Sequence, residues 1–200
     1  MRLNLGCGLQ QISGWTGVDF DEKLNPDIVA DVAHLPFEDD SIEEIYASHV
    51  LEHVPYDSPA LKEWFRVLRR GGQITIAVPD VNQIYMLYKH GGKWGPYSMP
   101  VDIAYVNASV YGADTMADRM PEGLFTGPGH MHKQIFIGDM LVQAMIAAGF
   151  DEVHEVLACT IRTSSIGEVM AQGRKFDGHA LCFSDKPYCL TRRCDQPQGE

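Results

Sequence analysis

The 200-residue chain has no apolar run approaching the roughly 18 residues that cross a bilayer, and no charged-then-apolar leader precedes Leu3. No membrane span or secretory signal is expected, and the cytoplasm is the expected compartment. Cysteine is scarce. Cys7, Cys159, Cys182, Cys189 and Cys194 make an odd set of five without a C-x-x-C pair, which argues against a disulfide framework and a structural zinc site. No metal site is expected from them. Basic charge is also scarce, 16 Lys and Arg against 27 Asp and Glu, for a formal net charge of −11. A nucleic-acid backbone is therefore not an expected partner, because phosphate binding needs clusters of Lys and Arg. The one basic run, Arg66 to Arg70, reads as a solvated helix end. Repeats and low-complexity tracts are absent too. What remains, with 45% hydrophobic content, suffices for one full α/β core.

The chain is organised around Leu3-Asn4-Leu5-Gly6-Cys7-Gly8, a short apolar strand broken by two glycines. Glycine can take φ > 0 and lets a ligand lie against the main chain, and the region past a strand's carboxyl end is where open α/β sheets bind ligands. Gly17-Val18-Asp19-Phe20 and Asp27-Ile28-Val29-Ala30-Asp31 are two further apolar runs, each ending in a carboxylate. As parallel neighbours they would set Asp19 and Asp31 on the same sheet edge as the glycine turn. The plainer reading of each Asp is a turn cap.

A polar loop from Leu35 to Ser41 leads to a fourth strand, Ile42 to Ala47. Ser58 as N-cap, Pro59 at the first helical position and apolar Leu61, Trp64, Phe65 and Leu68 then predict a helix ended by Gly71. Gln73 to Val78 is the fifth strand. Asp139 is a plausible N-cap for a last helix stopped by Gly149, with final strands at Glu152 to Cys159 and about Gly178 to Ser184 and a polar loop over 160–177.

These stretches resemble class I S-adenosylmethionine-dependent methyltransferases, in particular the small type 11 group. The resemblance is carried by LNLGCG, GVD, ADVAHLPFEDDSIEEIYASHVLEHV and LKEWFRVLRRGGQITIAVPD. It is dense over residues 2 to 80 and looser from His132 to about Val156. It implies a Rossmann-like, mostly parallel seven-stranded sheet flanked by helices, with the last strand antiparallel. It also implies that S-adenosylmethionine is the cofactor, with Gly6, Cys7 and Gly8 under its methionine end. Asp19 would hold the ribose, Asp31 and the backbone of Val32 the adenine, and Ser48 and His49 would flank the sulfonium methyl. The acceptor is expected to be a small molecule such as a sugar, a lipid precursor or a quinone-like metabolite.

Two departures from the class stand out. Only eight residues, Leu9 to Thr16, join the first two strands, where a parallel crossover needs about a dozen, so the first helix is expected to be one turn or missing. The chain also begins directly on the first strand, so the segment that many members place before it is expected to be absent.

One domain over 1–200 is expected, with an inserted substrate cover over 91–136 and a frayed tail at 195–200. The cover is Gly- and Pro-punctuated but carries Trp94, Tyr97, Tyr105, Tyr111 and Phe125. Loops longer than about 12 to 15 residues are usually functional or disordered, and these aromatics argue against disorder. They can equally pack a satellite core.

Methyl transfer from a sulfonium is an in-line displacement that requires no base, although an oxygen nucleophile of high pKa benefits from one. His49 is the first candidate base and His130 the residue of the cover expected to touch acceptor; His53 and His132 read as structural. His49-Val50-Leu51-Glu52-His53 also spells H-x-x-E-H, an inverted zinc-peptidase signature, but Pro55 interrupts the helix that motif needs. A dinucleotide dehydrogenase is disfavoured because Gln11 occupies the position of the third fingerprint glycine. The remaining alternative is a non-catalytic, cofactor-binding or regulatory subunit of the same fold.

Overall fold

A computed structural model describes residues 1–94, 99–112, 131–156 and 168–176. Seven strands form one sheet: β1 (Arg2–Leu5), β2 (Thr16–Asp19), β3 (Ile28–Val29), β4 (Ile42–Ser48), β5 (Leu68–Pro79), β6 (Asp151–Glu155) and β7 (Glu168–Arg174). Their order is β3-β2-β1-β4-β5-β7-β6. The first five are mutually parallel, and β7 runs antiparallel to both β5 and β6. The implied architecture, its antiparallel last strand included, is therefore present.

The central strands carry the core. Leu3, Leu5, Ile45, Ile74 and Ile76 are fully buried, and truncating any one to Ala would cost roughly 2 to 5 kcal/mol. Helices α1 (Ala60–Val67) and α4 (Met140–Ala148) pack against each other, with Phe65 edge-on to Phe150 at 5.2 Å between ring centroids. Trp64 is fully buried on α1, and its Nε1 donates to the Val32 carbonyl at 2.8 Å, which anchors the turn after β3.

The first crossover contains no helix. Side chains close it instead: Trp15 lies edge-on to buried Tyr46 of β4 at 6.3 Å, and the Arg2 guanidinium stands 5.2 Å from the Trp15 ring. Asn4 Nδ2 donates to the Gln10 carbonyl at 3.0 Å and ties the loop back to β1.

Several boundaries differ from expectation. Helix α1 ends at Val67, and Leu68, extended at φ −66° and ψ 128°, already pairs with Ile42 of β4. The ladder then shifts register before Glu44, so Arg69 to Gly72 bulge within β5 instead of finishing the helix. The helix also starts one residue later than expected: Pro59 takes the N-cap position without a side-chain cap bond, and Ser58 Oγ, one residue before it, accepts from Ala60 N at 3.3 Å. The polar loop expected over 160–177 is overturned where β7 runs, and 178–184 lie outside the described residues. Gly173 explains why β7 has no alternating signature. A Cβ there would stand 3.2 Å from Met145, Phe150 and Val153, so α4 and β6 pack closely over the glycine and would have to give way to a side chain.

The segment expected to lack a sustained period contains a helix, α3 (Ile103–Tyr111), and a two-residue hairpin pairing Lys93–Trp94 with Met99–Pro100. Helix α2 (Val81–Lys89) precedes them, capped by the Asp80 carboxylate, which accepts from Asn82 N and Gln83 N. Ile84, Val101 and Tyr105 form a small second core between α2 and α3. Tyr105 thus has the satellite-core role, while Tyr111 is exposed. Residues Tyr97, Phe125 and His130 lie outside the described residues.

Candidate functional site

The carboxyl ends of β1, β2, β3 and β4 meet on one edge of the sheet, because parallel pairing aligns them. Gly6 and Gly8 follow β1 with φ of 58° and 53°, the left-handed region that favours glycine. Gly6 is needed for space as well: a Cβ there would fall 2.2 Å from Val50 Cγ2. Beside Gly8 a Cβ would meet nothing within 4 Å, so one side of the turn is open. Cys7, buried between them, donates its N–H to the Val18 carbonyl at 3.2 Å and packs against Gly17.

Asp19 ends β2 and is 5% exposed. Its Oδ2 accepts from Gly8 N at 2.9 Å and its Oδ1 from Asp21 N at 3.1 Å. The carboxylate is thereby fixed against the glycine turn with a second lone pair on each oxygen still available. Asp31, by contrast, is exposed, and its Oδ1 caps the next turn by accepting from Ala33 N at 2.8 Å. Its other oxygen stands 3.7 Å from His34 Nδ1. The Val32 carbonyl is taken by Trp64, leaving the Val32 N–H as the group that residue can offer a ligand.

Ser48 is buried at the end of β4, and His49 follows it at φ 55°. A non-glycine residue in that conformation carries a backbone cost, and such residues cluster at functional sites. The His49 N–H donates to the Ala77 carbonyl of β5 at 3.0 Å, which holds the strained residue in place. Its half-exposed ring sets Nδ1 3.1 Å from Glu52 Oε1.

Glu52 is buried on a 3-10 turn, Leu51–His53. Burial alone would push its carboxyl up; the hydrogen bond from His49 and the charges of His49 and His53 outweigh that and hold it below the usual carboxylate range. A single 3-10 turn cannot present His49 and His53 on one face of a sustained helix, so the zinc-peptidase geometry is not built here. Sequence reasoning missed the residue that does arrive. The 131–134 segment is pinned to the turn by Lys133 N and Gln134 N on the Glu52 carbonyl and by Gln134 Nε2 on the Leu51 and Val54 carbonyls. That brings His132 edge-on to His53, with ring centroids 4.8 Å apart. Some eighty residues separate the two segments, and no local pattern signals their contact.

Comparison with known proteins agrees with this arrangement. Residues 3–76 match a family model described as a methyltransferase domain. Methyltransferase GfsG of Streptomyces halstedii is 43% identical over 49 residues, covering 24% of this chain and 18% of its own. Ubiquinone/menaquinone biosynthesis C-methyltransferase UbiE of Bartonella quintana is 36% identical over 67 residues, 30% of this chain and 26% of its own. The chain thus spans about a quarter or less of the curated relatives it matches. Among solved structures, a SAM-dependent methyltransferase of Methanosarcina mazei superposes with a TM-score of 0.54 at 21% identity, over 88% of this chain and 92% of that one. The match to the methyltransferase domain model covers residues 3–76, and the chain has the fold of S-adenosylmethionine-dependent methyltransferases.

Proposed function

We propose that this chain is a methyltransferase that takes S-adenosylmethionine as cofactor and methylates a small-molecule acceptor. The observation that carries the reading is the buried Asp19 carboxylate bonded to Gly8 N, which joins the glycine turn and an acceptor group into one preformed cradle. Gly6, Cys7 and Gly8 receive the methionine end, where Gly8 presents main chain beside open space. Asp19 accepts the two ribose hydroxyls on its remaining lone pairs, and Asp31 with the Val32 N–H reads the adenine edge. Asp31 keeps its turn-capping bond while doing so, since a carboxylate accepts several donors.

The bound cofactor supplies an electrophilic methyl group on a sulfonium. Ser48 lines the site at that point, and Asp19 with the glycine turn fixes the nucleoside so that only the acceptor must be aligned. His49 is the proton acceptor. With Nδ1–H donated to the Glu52 carboxylate, its Nε2 carries the lone pair, and the buried carboxylate stabilises the imidazolium that forms. His130, outside the described residues, is proposed as the residue of the 91–136 segment that meets the acceptor. Candidate acceptors are a sugar, a lipid precursor or a quinone-like ring, the last favoured by the similarity to the ubiquinone/menaquinone biosynthesis C-methyltransferase UbiE. No described helix is long and apolar enough to cross a membrane. That fits a small-molecule enzyme of the cytoplasm.

Calorimetric titration of ligand-stripped protein with S-adenosylmethionine and S-adenosylhomocysteine tests the cofactor half. Micromolar binding is expected, weakened about 5- to 100-fold in Asp19→Asn, which places an amide N–H where an acceptor is needed. Absence of heat with both nucleosides overturns the reading. On an acceptor found by screening, His49→Ala should lose about 100-fold or more in kcat; an unchanged rate would remove His49 from the chemistry.

A further inference from the structure

Glu52 has one oxygen without a role in the chemistry above. Oε1 meets His49, whereas Oε2 is fully buried and finds no hydrogen-bond partner among the described residues. An unpartnered buried carboxylate oxygen loses its hydration with nothing in return, and its natural complement is a cation.

The neighbouring imidazoles are arranged to receive one. His53 Nδ1 lies 3.3 Å from the Met131 carbonyl, and His132 Nδ1 lies 3.0 Å from the Ser109 carbonyl. A carbonyl only accepts, so each Nδ1 is the donor, and in the neutral ring Nε2 then holds the lone pair. A backbone carbonyl on one ring nitrogen, fixing tautomer and orientation, is how proteins prepare a histidine to ligate a metal through the other. One ligand atom from each of Glu52, His53 and His132 lies within 4.8 Å of the other two. The three residues come from two segments locked together by the bonds of Lys133 and Gln134, so the cluster is held by the fold and not by chance proximity of long side chains.

We propose that Glu52, His53 and His132 form a binding site for a divalent transition cation of the zinc type. Two imidazole nitrogens and one carboxylate suit zinc, and a set of three protein ligands leaves a fourth position open to water or an acceptor oxygen. Magnesium and calcium prefer oxygen-only shells and fit the donor set less well. Bonds of about 2.1 Å in a tetrahedron put ligand atoms about 3.4 Å apart. His53 Nε2 stands 4.0 Å from Oε1, the Glu52 oxygen that His49 also meets, so closing the set around a cation on Oε2 needs the carboxylate and imidazole side chains to rotate. This is not the set that H-x-x-E-H suggests, since His49 serves the other oxygen of Glu52 and His132 takes its place.

The test uses the full chain, stripped with a chelator, dialysed, and titrated with Zn²⁺ against a chromophoric competitor and with Co²⁺ by absorption. One equivalent of zinc is expected, with a visible tetrahedral cobalt spectrum and no thiolate-to-cobalt band, which separates this site from the cysteines. His132→Ala should weaken zinc at least about 10-fold, as should Glu52→Gln. His132 is half-buried, so His132→Ala keeps the test valid where removal of the Glu52 charge unfolds the turn; circular dichroism establishes that the variant is folded. Three results overturn the proposal: no zinc uptake by the stripped protein, unchanged affinity in both His132→Ala and His53→Ala, or a thiolate band accounting for the bound cobalt. Titration of the same stripped sample with S-adenosylhomocysteine reads the cofactor site separately, so the failure of one reading is distinguishable from that of the other.

Discussion

Gly6 and Gly8 occupy one turn, share the left-handed conformation, and yet need glycine for different reasons. At Gly8 the need is conformational only, because a Cβ would point into open space. At Gly6 the same φ is combined with a Val50 methyl 2.2 Å from where the Cβ would sit. Gly8→Ala should therefore cost roughly 1 to 2 kcal/mol, the penalty of a left-handed L-residue. Gly6→Ala adds overpacking, for a total of roughly 2 to 5 kcal/mol. Urea unfolding of both variants at equal m-value measures the difference directly. Because Val50 follows His49, Gly6→Ala should also displace the His49–Glu52 pair and depress activity beyond its effect on stability, whereas Gly8→Ala should act mainly on nucleoside affinity. Equal effects of the two substitutions on stability would show that Val50 yields without strain.

At the scale of elements, helix α1 is bound to the loop before β4 by charge as well as by Trp64. The Arg66 guanidinium donates to both Glu63 oxygens at 2.8 Å, to Asp39 Oδ1 at 2.6 Å and to the Phe37 carbonyl at 2.9 Å. Glu63 Oε1 also accepts from Leu35 N at 2.7 Å. The hydrogen bond from Arg66 is the largest influence on the Glu63 carboxyl; it outweighs partial burial and, with the Leu35 N–H, holds the group below its ordinary value of 4.5. A carboxyl depressed in the folded state stabilises the fold above its unfolded value and loses that contribution as pH falls through the folded one. Unfolding free energy should thus drop below about pH 4.5, and Glu63→Gln should be less stable than the parent at pH 7 by roughly 1 to 3 kcal/mol while showing a shallower acid decline. Denaturant midpoints across pH 3 to 7 check both features. Parallel slopes for parent and variant would assign the acid loss to other carboxylates.

The same scale shows what the sequence disclosed of the fold. Strands β1 to β5 are legible because each is a short apolar run closed by Gly, Asp, Ser or Pro, and in a parallel sheet those closing residues fall on one edge. Strand β7 is not, since it is covered on both faces and contains Gly173 where its neighbours pack tightly. Helix α3 escapes because its apolar residues surround it, leaving no stripe for a 3.6 period to reveal. The end of α1 escapes for another reason: Leu68 continues the helical apolar spacing, but its pairing with Ile42 settles its conformation.

For the whole molecule, the candidate site divides the same way. Its proposed cofactor half lies within the first 50 residues and is written in local motifs, whereas the Glu52, His53 and His132 cluster exists only once the 131–134 segment has docked. Long-range docking also governs integrity of the sheet. Strand β7 enters between β5 and β6 although it is the last strand among the described residues, and its ladder with β5 runs without interruption from Gln73↔Arg174 to Pro79↔Glu168. Ending the chain at Val156 would leave that whole edge of β5 unpaired and β6 without its neighbour, with Ile74 and Ile76 losing the cover of β7. An open, apolar central strand is a template for pairing with other chains. The truncated protein should therefore lose its cooperative thermal transition and accumulate as aggregate, even though every residue proposed to hold the cofactor is retained. Size-exclusion chromatography with calorimetric unfolding decides it: a soluble monomer with a sharp transition would mean that β1 to β5, with α1 and α4, form a self-sufficient unit and that β7 only completes it.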